Sequence, residues 1–194
     1  MKQVSHNIAS SLETIAKKYP DQTAIAESGS GSSISFQELD RKSSKTASGL
    51  NQYGFKKSDR ILLFVPFGIR FISIVFALFK AGTVPILIDP GLGKRNVLKC
   101  IRETEPQGII ASPLIQLTSI FFSKSIRNIK HKITIESSWI WKGHSLADID
   151  NMAKSSPVYN ETLFDDPAAI LFTSGSTGPP KGVVYTHGMF SHQL

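Results

Sequence analysis

The sequence predicts an α/β fold with a mostly parallel sheet covered by helices. Three observations carry that expectation. Short runs that are apolar throughout, such as Ile61 to Val65, Pro85 to Asp89 and Gly108 to Ala111, fit strands buried on both faces. Segments with apolar residues every three or four positions separate them. Strand and helix patterns also alternate along the chain, which is the order of a layered α/β domain.

Val4, Ile8, Leu12, Ile15 and Tyr19 recur at helical spacing, so the chain opens on an amphipathic outer helix that Pro20 ends. Thr23 to Ala26 and Ser33 to Ser35 read as two short strands. The Gly- and Ser-rich turn between them, Glu27 to Ser32, is a hairpin tip rather than a functional glycine loop. Phe36, Leu39, Ser43, Ala47 and Leu50 mark the face of the next helix. The strand Ile61 to Val65 follows, then a helix over Arg70 to Lys80, the strand Pro85 to Asp89 and a helix over Lys94 to Glu103. Gly108 to Ala111 and Lys132 to Ile135 are further strands, with a helix expected over Leu114 to Phe122 between them. From Glu136 to Asp166 the sequence is more polar and irregular. Only a weak helix around Leu146 to Met152 is placed there, and Trp139 and Trp141 read as packing residues. Ala168 to Phe172 and Gly182 to Tyr185 are the last two strands, and His187 stands at a helix start, where capping, packing and substrate contact are all open roles.

With 41% hydrophobic and 9% aromatic residues, 194 residues can bury a sizeable core, which excludes a disordered chain. The net charge of +7 comes from 22 basic and 15 acidic side chains, but the basic ones are dispersed in pairs such as Lys17-Lys18, Arg41-Lys42 and Lys56-Lys57. That dispersal fits a solvated surface and argues against a nucleic-acid groove. The longest uncharged piece of the most apolar region, Phe71 to Phe79, falls far short of the roughly 20 residues a spanning helix needs. The first residues lack the apolar core of a signal peptide. Cys100 is the only cysteine, so no intrachain disulfide forms; it reads as a buried helix-face residue, and a cytoplasmic location is expected.

Between the last two strands lies TSGSTGPPKG, Thr173 to Gly182, in which six of the eight residues from Thr173 to Pro180 are Thr, Ser or Gly. Glycines at 175 and 178 permit positive φ, which lets successive backbone N–H groups turn inward as an anion-binding nest. The hydroxyls of Thr173, Ser174, Ser176 and Thr177 add short donors, and Lys181 supplies a point charge. A flexible linker would need neither a lysine at fixed offset nor apolar strands on both sides. A Walker A loop is excluded, because Pro180 replaces its second glycine and Gly182 its Ser/Thr.

The loop resembles the signature of the adenylate-forming, AMP-binding ligase superfamily, a Ser/Thr/Gly-rich octet followed by Lys-Gly. Ile34-Ser35-Phe36-Gln37-Glu38-Leu39 is similar to that family's early strand-to-helix entry, and Lys80-Ala81-Gly82 through Ile88-Asp89-Pro90 to a second segment of it. The resemblance implies that residues 1–194 are the N-terminal portion of the adenylation domain, with the rest of the large domain and the C-terminal domain absent. It implies ATP and Mg²⁺ as cofactors. A carboxylate would attack the α-phosphate to give acyl-AMP and pyrophosphate, and a second nucleophile would take the acyl group. Thr173, Ser174, Gly175, Ser176, Thr177, Gly178 and Lys181 would bind the phosphates, with Thr173 near Mg²⁺. No catalytic residue is assigned, because the family's adenine contacts, magnesium-binding glutamate and catalytic lysine come later. The 194 residues alone are therefore expected to be inactive, weak or void in ATP binding, and poorly soluble.

Ile88 to Gly93, Leu98 to Ile101 and the late GPPKGVVY are most similar to the fatty-acyl ligase-like enzymes of the long-chain olefin pathway. Those close a 2-alkyl-3-hydroxy acid into a β-lactone, with the substrate's own hydroxyl in place of coenzyme A, and most of the acyl pocket is expected beyond residue 194. A fatty-acyl-CoA ligase, a peptide-synthetase adenylation domain and a non-catalytic remnant stay open as alternatives.

Overall fold

A computed structural model describes residues 7–113, 115, 124–127, 129–136, 143–154, 160–173 and 180–193. The first helix, α1 (Ala9–Lys18), buries Ala9, Leu12 and Ala16. It begins after Ile8, and Val4 of the predicted face lies outside the described residues. Strands β1 (Thr23–Ala26) and β2 (Ser33–Ser35) pair antiparallel as a separate two-stranded sheet. Ser35 then caps α2 (Phe36–Tyr53): its side chain accepts the Glu38 N–H while Glu38 reaches back to the Ser35 N–H, so two otherwise unpaired donors of the first turn are satisfied. Gly54, at φ 112°, ends α2 in the left-handed conformation that a glycine adopts without strain.

The main sheet follows, with β3 (Arg60–Phe64), β4 (Val84–Ile88), β5 (Gly108–Ala111), β6 (His131–Thr134), β7 (His144–Ser145), β8 (Pro167–Thr173) and β9 (Lys181–Thr186). Their order is β7-β6-β5-β3-β4-β8-β9, and every neighbouring pair is parallel except β8 with β9. The connecting helices are α3 (Ile69–Lys80), α4 (Lys94–Thr104) after a 3-10 turn at Pro90–Leu92, α5 (Lys124–Arg127), α6 (Leu146–Asn151) and α7 (His187–Ser191). The helix expected over Leu114 to Phe122 falls almost entirely outside the described residues, as do Trp139 and Trp141.

Alternation along β3 divides the core. Ile61 and Leu63 pack with Leu50 of α2, Ile74 and Leu78 of α3 and Ile149 of α6. Leu62 points the other way and joins Ile86, Ile109, Cys100 and Ile101 under α4 and α5. Period-two side-chain direction thus makes three layers, helices on both faces of one sheet. Among the described residues no helix is long and apolar enough to cross a membrane.

A lysine is among the polar residues built into this core. Lys80, at 0% exposure, ends α3 and donates to Asp40 Oδ1 at 2.7 Å, to the Asp40 carbonyl at 2.9 Å and to Ser44 Oγ at 2.8 Å, locking α3 onto α2. Burial pushes its ammonium below the ordinary lysine range, and the hydrogen bond and charge of Asp40 pull the other way. Asp40→Ala leaves that ammonium buried without its carboxylate, so urea unfolding should show a loss of about 3 kcal/mol. Lys80→Met with Asp40→Leu removes both charges and should recover most of the loss; equal losses in the two variants would refute the ion pair as the cause.

Candidate functional site

Strands β8 and β9 form an antiparallel hairpin in which Ile170 faces Val184, Phe172 faces Gly182 and Thr173 faces Lys181. This pairing brings the two ends of the Ser/Thr/Gly loop into register. Ser174, Gly175, Ser176, Thr177 and Gly178 lie outside the described residues. The structure fixes the backbone of Thr173 at the end of β8, buries Pro180, and leaves Lys181 exposed. Among the described residues none forms an ion pair with Lys181, so its charge is available at the base of the loop. Gly182 has a steric reason to be glycine: a Cβ there would meet the Phe172 ring at 2.7 Å. By sequence the loop carries hydroxyls and one ammonium, a chemistry that suits a polyphosphate carrying a divalent cation. Among the described residues no group of three or more His, Cys, Asp or Glu could hold a metal ion.

Beside this hairpin the carboxyl ends of the parallel strands open. After β3 the chain enters α3 on one face of the sheet, and after β4 it enters α4 on the other. Adjacent strands whose connections diverge in this way leave a crevice beyond their carboxyl ends, which is where ligands bind in open α/β sheets. A cavity of about 670 Å³ lies there. Its walls are the ends of β3 and β4, the turn Pro66-Phe67, Phe71 of α3, and Leu171 and Phe172 of β8. The Asp89 N–H donates to the Phe172 carbonyl at 3.3 Å, carrying the β4–β8 pairing up to the point where the loop begins. Sequence reading missed this crevice, although the order of strands and helices it did predict contains the divergence that creates it.

The hairpin tip at residues 27–32 supports the crevice wall. Glu27 Oε1 accepts the Ile69 N–H at 2.7 Å and so caps the amino end of α3, while Ser30 Oγ donates to Glu27 Oε2 at 2.9 Å. The Ile69 hydrogen bond, followed by that of Ser30, holds the Glu27 carboxyl below its ordinary value of 4.5. Gly68 precedes the helix at φ 152°, and a Cβ there would strike the Glu27 carboxylate. The tip expected to be a simple hairpin turn is therefore also a helix cap.

His187 serves packing. It is 1% exposed, its Nδ1 accepts the Ile8 N–H at 3.2 Å, and its ring meets Phe79 edge-on with centroids 6.1 Å apart. It ties Ile8, just before α1, to α7. His144 stacks edge-on against Tyr53 and His192 against Phe164, so these histidines too sit in aromatic packing.

Residues 12–194 match the family model described as AMP-binding enzyme. The chain is 40% identical over 200 residues to an olefin beta-lactone synthetase of Xanthomonas campestris pv. campestris, covering 97% of this chain and 35% of that protein. It is 29% identical over 196 residues to an uncharacterized acyl-CoA ligase of Bacillus subtilis, covering 97% of this chain and 36% of that protein. The structure of apo MbtA from Mycobacterium smegmatis superposes with a TM-score of 0.83 at 22% identity, over 96% of this chain and 35% of that one, a likeness of fold. The chain therefore spans about a third of the length of the curated relatives it matches.

Because the Glu27 carboxyl is depressed by folding, its contribution to stability is complete above 4.5 and is lost as pH falls through the lowered folded value. Thermal unfolding midpoints between about pH 3 and 6 should fall more steeply on the acid side for the native chain than for Glu27→Gln. Parallel curves would show that the α3 cap carries no such linkage.

Proposed function

The chain belongs to the AMP-binding enzyme family, and on that basis we propose that it provides the phosphate-holding part of an ATP-dependent, AMP-forming acid ligase. The observation that carries this reading is the β8–β9 hairpin, which opposes Thr173 and Lys181 at the base of a loop rich in hydroxyls and glycine. Carboxylates are poor electrophiles, and conversion to an acyl-adenylate supplies a good leaving group. The loop's part is positional. Backbone N–H groups, the Ser174, Ser176 and Thr177 hydroxyls and the Lys181 ammonium hold the outer phosphates, so that the α-phosphorus stays in line with the attacking carboxylate oxygen. Mg²⁺, when bound, would neutralise phosphate charge, and Thr173 at the start of the loop is the residue we propose to contact it.

The acid we propose is a long-chain or 3-hydroxy fatty acid. Supporting this are the 40% identity to a β-lactone synthetase and the resemblance of the Ile88 to Gly93 segment, of which Ile88 and Asp89 line the crevice. In that reading the acid's own hydroxyl is the second nucleophile. Transfer to coenzyme A is the second reading, favoured by the acyl-CoA ligase relative.

Lys181→Ala and Thr177→Ala each remove a donor to a charged group, worth about 1.5 to 3 kcal/mol. Acid-dependent pyrophosphate release by the protein carrying this chain should fall by about 10- to 150-fold in each. Unchanged release in both would remove the loop from the site. A panel of acids assayed with and without coenzyme A separates the two readings: a β-lactone formed without coenzyme A supports the first, and strict dependence on coenzyme A supports the second.

A further inference from the structure

We infer that the outer face of the α4–α5 layer is a docking surface for an anionic phospholipid membrane. The inference goes beyond the ligase reading and does not depend on it.

The first observation is a segregation of charge. Residues 94–132 hold eight Lys or Arg and two acidic side chains, a net +6, whereas the remaining residues hold fourteen basic and thirteen acidic ones. Nearly all of the chain's +7 therefore belongs to one segment. That segment supplies α4 and α5, which pack on the same face of the sheet through Cys100, Ile101, Ile126 and Ile129.

The second is direction. Cys100, Ile101 and Thr104 are the buried side of α4. Arg95, Lys99 and Arg102 recur at i, i+4 and i+7 on the opposite side, where both arginines are exposed. Lys124 at the start of α5 and Lys130 after it are exposed as well. Among the described residues neither Arg95 nor Arg102 forms an ion pair. Lys99 meets Glu103 at 3.7 Å with both side chains about half exposed, so that pair offsets little of the positive field.

The third decides the class of partner. The large apolar side chains exposed among the described residues are Tyr19, Phe67, Phe164, Val183, Val184 and Met189, and none of them belongs to residues 94–132. A specific protein interface is anchored by aromatic or aliphatic side chains that it buries, and a single-stranded nucleic acid by rings on which its bases stack. The described layer offers neither. A duplex is read by an element that enters a groove, whereas here the cations lie along the outer side of a helix packed flat on its sheet. A surface of lipid phosphates needs only cations held within a Debye length of it, each adding its own share. Because the apolar side of α4 is spent on the core, this docking is electrostatic and reversible by salt.

Cosedimentation of the protein carrying this chain with vesicles tests the assignment, without ATP or acid, so the result is independent of ligase activity. Phosphatidylcholine vesicles with about 30% phosphatidylserine should bind it, and pure phosphatidylcholine vesicles should not. Binding should fall at least about tenfold between roughly 0.05 and 0.5 M salt. Arg95→Gln with Arg102→Gln should weaken binding about 10- to 30-fold. Lys42→Gln with Lys45→Gln removes the same charge from exposed positions of α2, on the other side of the sheet, and should change it less than about twofold. Glu103→Gln removes the acid beside Lys99 and should tighten binding about three- to fivefold, a gain that a poorly folded variant does not mimic. No binding to the anionic vesicles, equal losses in the two double variants, or no gain in Glu103→Gln would overturn the assignment. A DNA duplex bound through Arg95 and Arg102 while the vesicles stay unbound would overturn it in favour of nucleic acid.

Discussion

A parallel strand cannot turn back on its neighbour; it must be followed by a crossover, and the face each crossover takes decides what the sheet can hold. Here β3 sends α3 to the face of Ile61 and Leu63, and β4 sends α4 to the face of Leu62 and Ile86. The two helices peel apart at adjacent strands, and the gap they leave is the crevice. The rest of the candidate site is arranged around that gap. Glu27 fixes the amino end of α3 on one side, and the Asp89 N–H joins β4 to β8 on the other. Reversing the side taken by either helix would close the gap without changing a single loop residue.

The antiparallel strand β9 is the second constraint. All other pairs in the main sheet are parallel, so a loop between them would have to span a crossover. Only where β9 returns directly along β8 can a connection of a few residues have both ends in register, as Thr173 and Lys181 are. For the phosphate-binding role proposed above, two hydrogen-bonded anchors at the loop's ends would lower the ordering cost of binding. The glycine after Lys181 belongs to the same anchor, since the Phe172 ring occupies the space a side chain would need.

How much of this was legible in the sequence follows from the range of the signals. Continuous apolar runs gave β3, β4, β5 and β8 to within a residue or two at each end, because burial on both faces leaves a local mark. The Ser/Thr/Gly pattern made the loop readable for the same reason: its chemistry is contiguous. The crevice is not contiguous. Its walls run from Leu63 to Phe172, and no window of periodicity joins them. Glu27 was legible as a turn residue but not as the cap of a helix that begins 42 positions later, and His187 gave no sequence sign of its bond to Ile8. Strand β7, two residues long, is held by its pairing to β6 and leaves no pattern of its own.

The two lysines in the segments that suggested the family show why a motif residue still has to be placed. Lys80 and Lys181 both stand in family-like segments next to a glycine-bearing turn, and sequence alone gives them equal standing. The structure separates them. Lys80 is fully buried and donates to Asp40 Oδ1, the Asp40 carbonyl and Ser44 Oγ, so moving it toward a ligand would leave the Asp40 carboxylate without its cation and open the α2–α3 contact. Lys181 sits in solvent at the mouth of the hairpin and meets no described carboxylate. A cation recruited by an incoming polyanion must be free to leave water at small cost and must not already neutralise something else. Of the two, Lys181 alone satisfies both conditions, and it stands beside a crevice whose described walls are mostly apolar and carry one charged residue, Asp89.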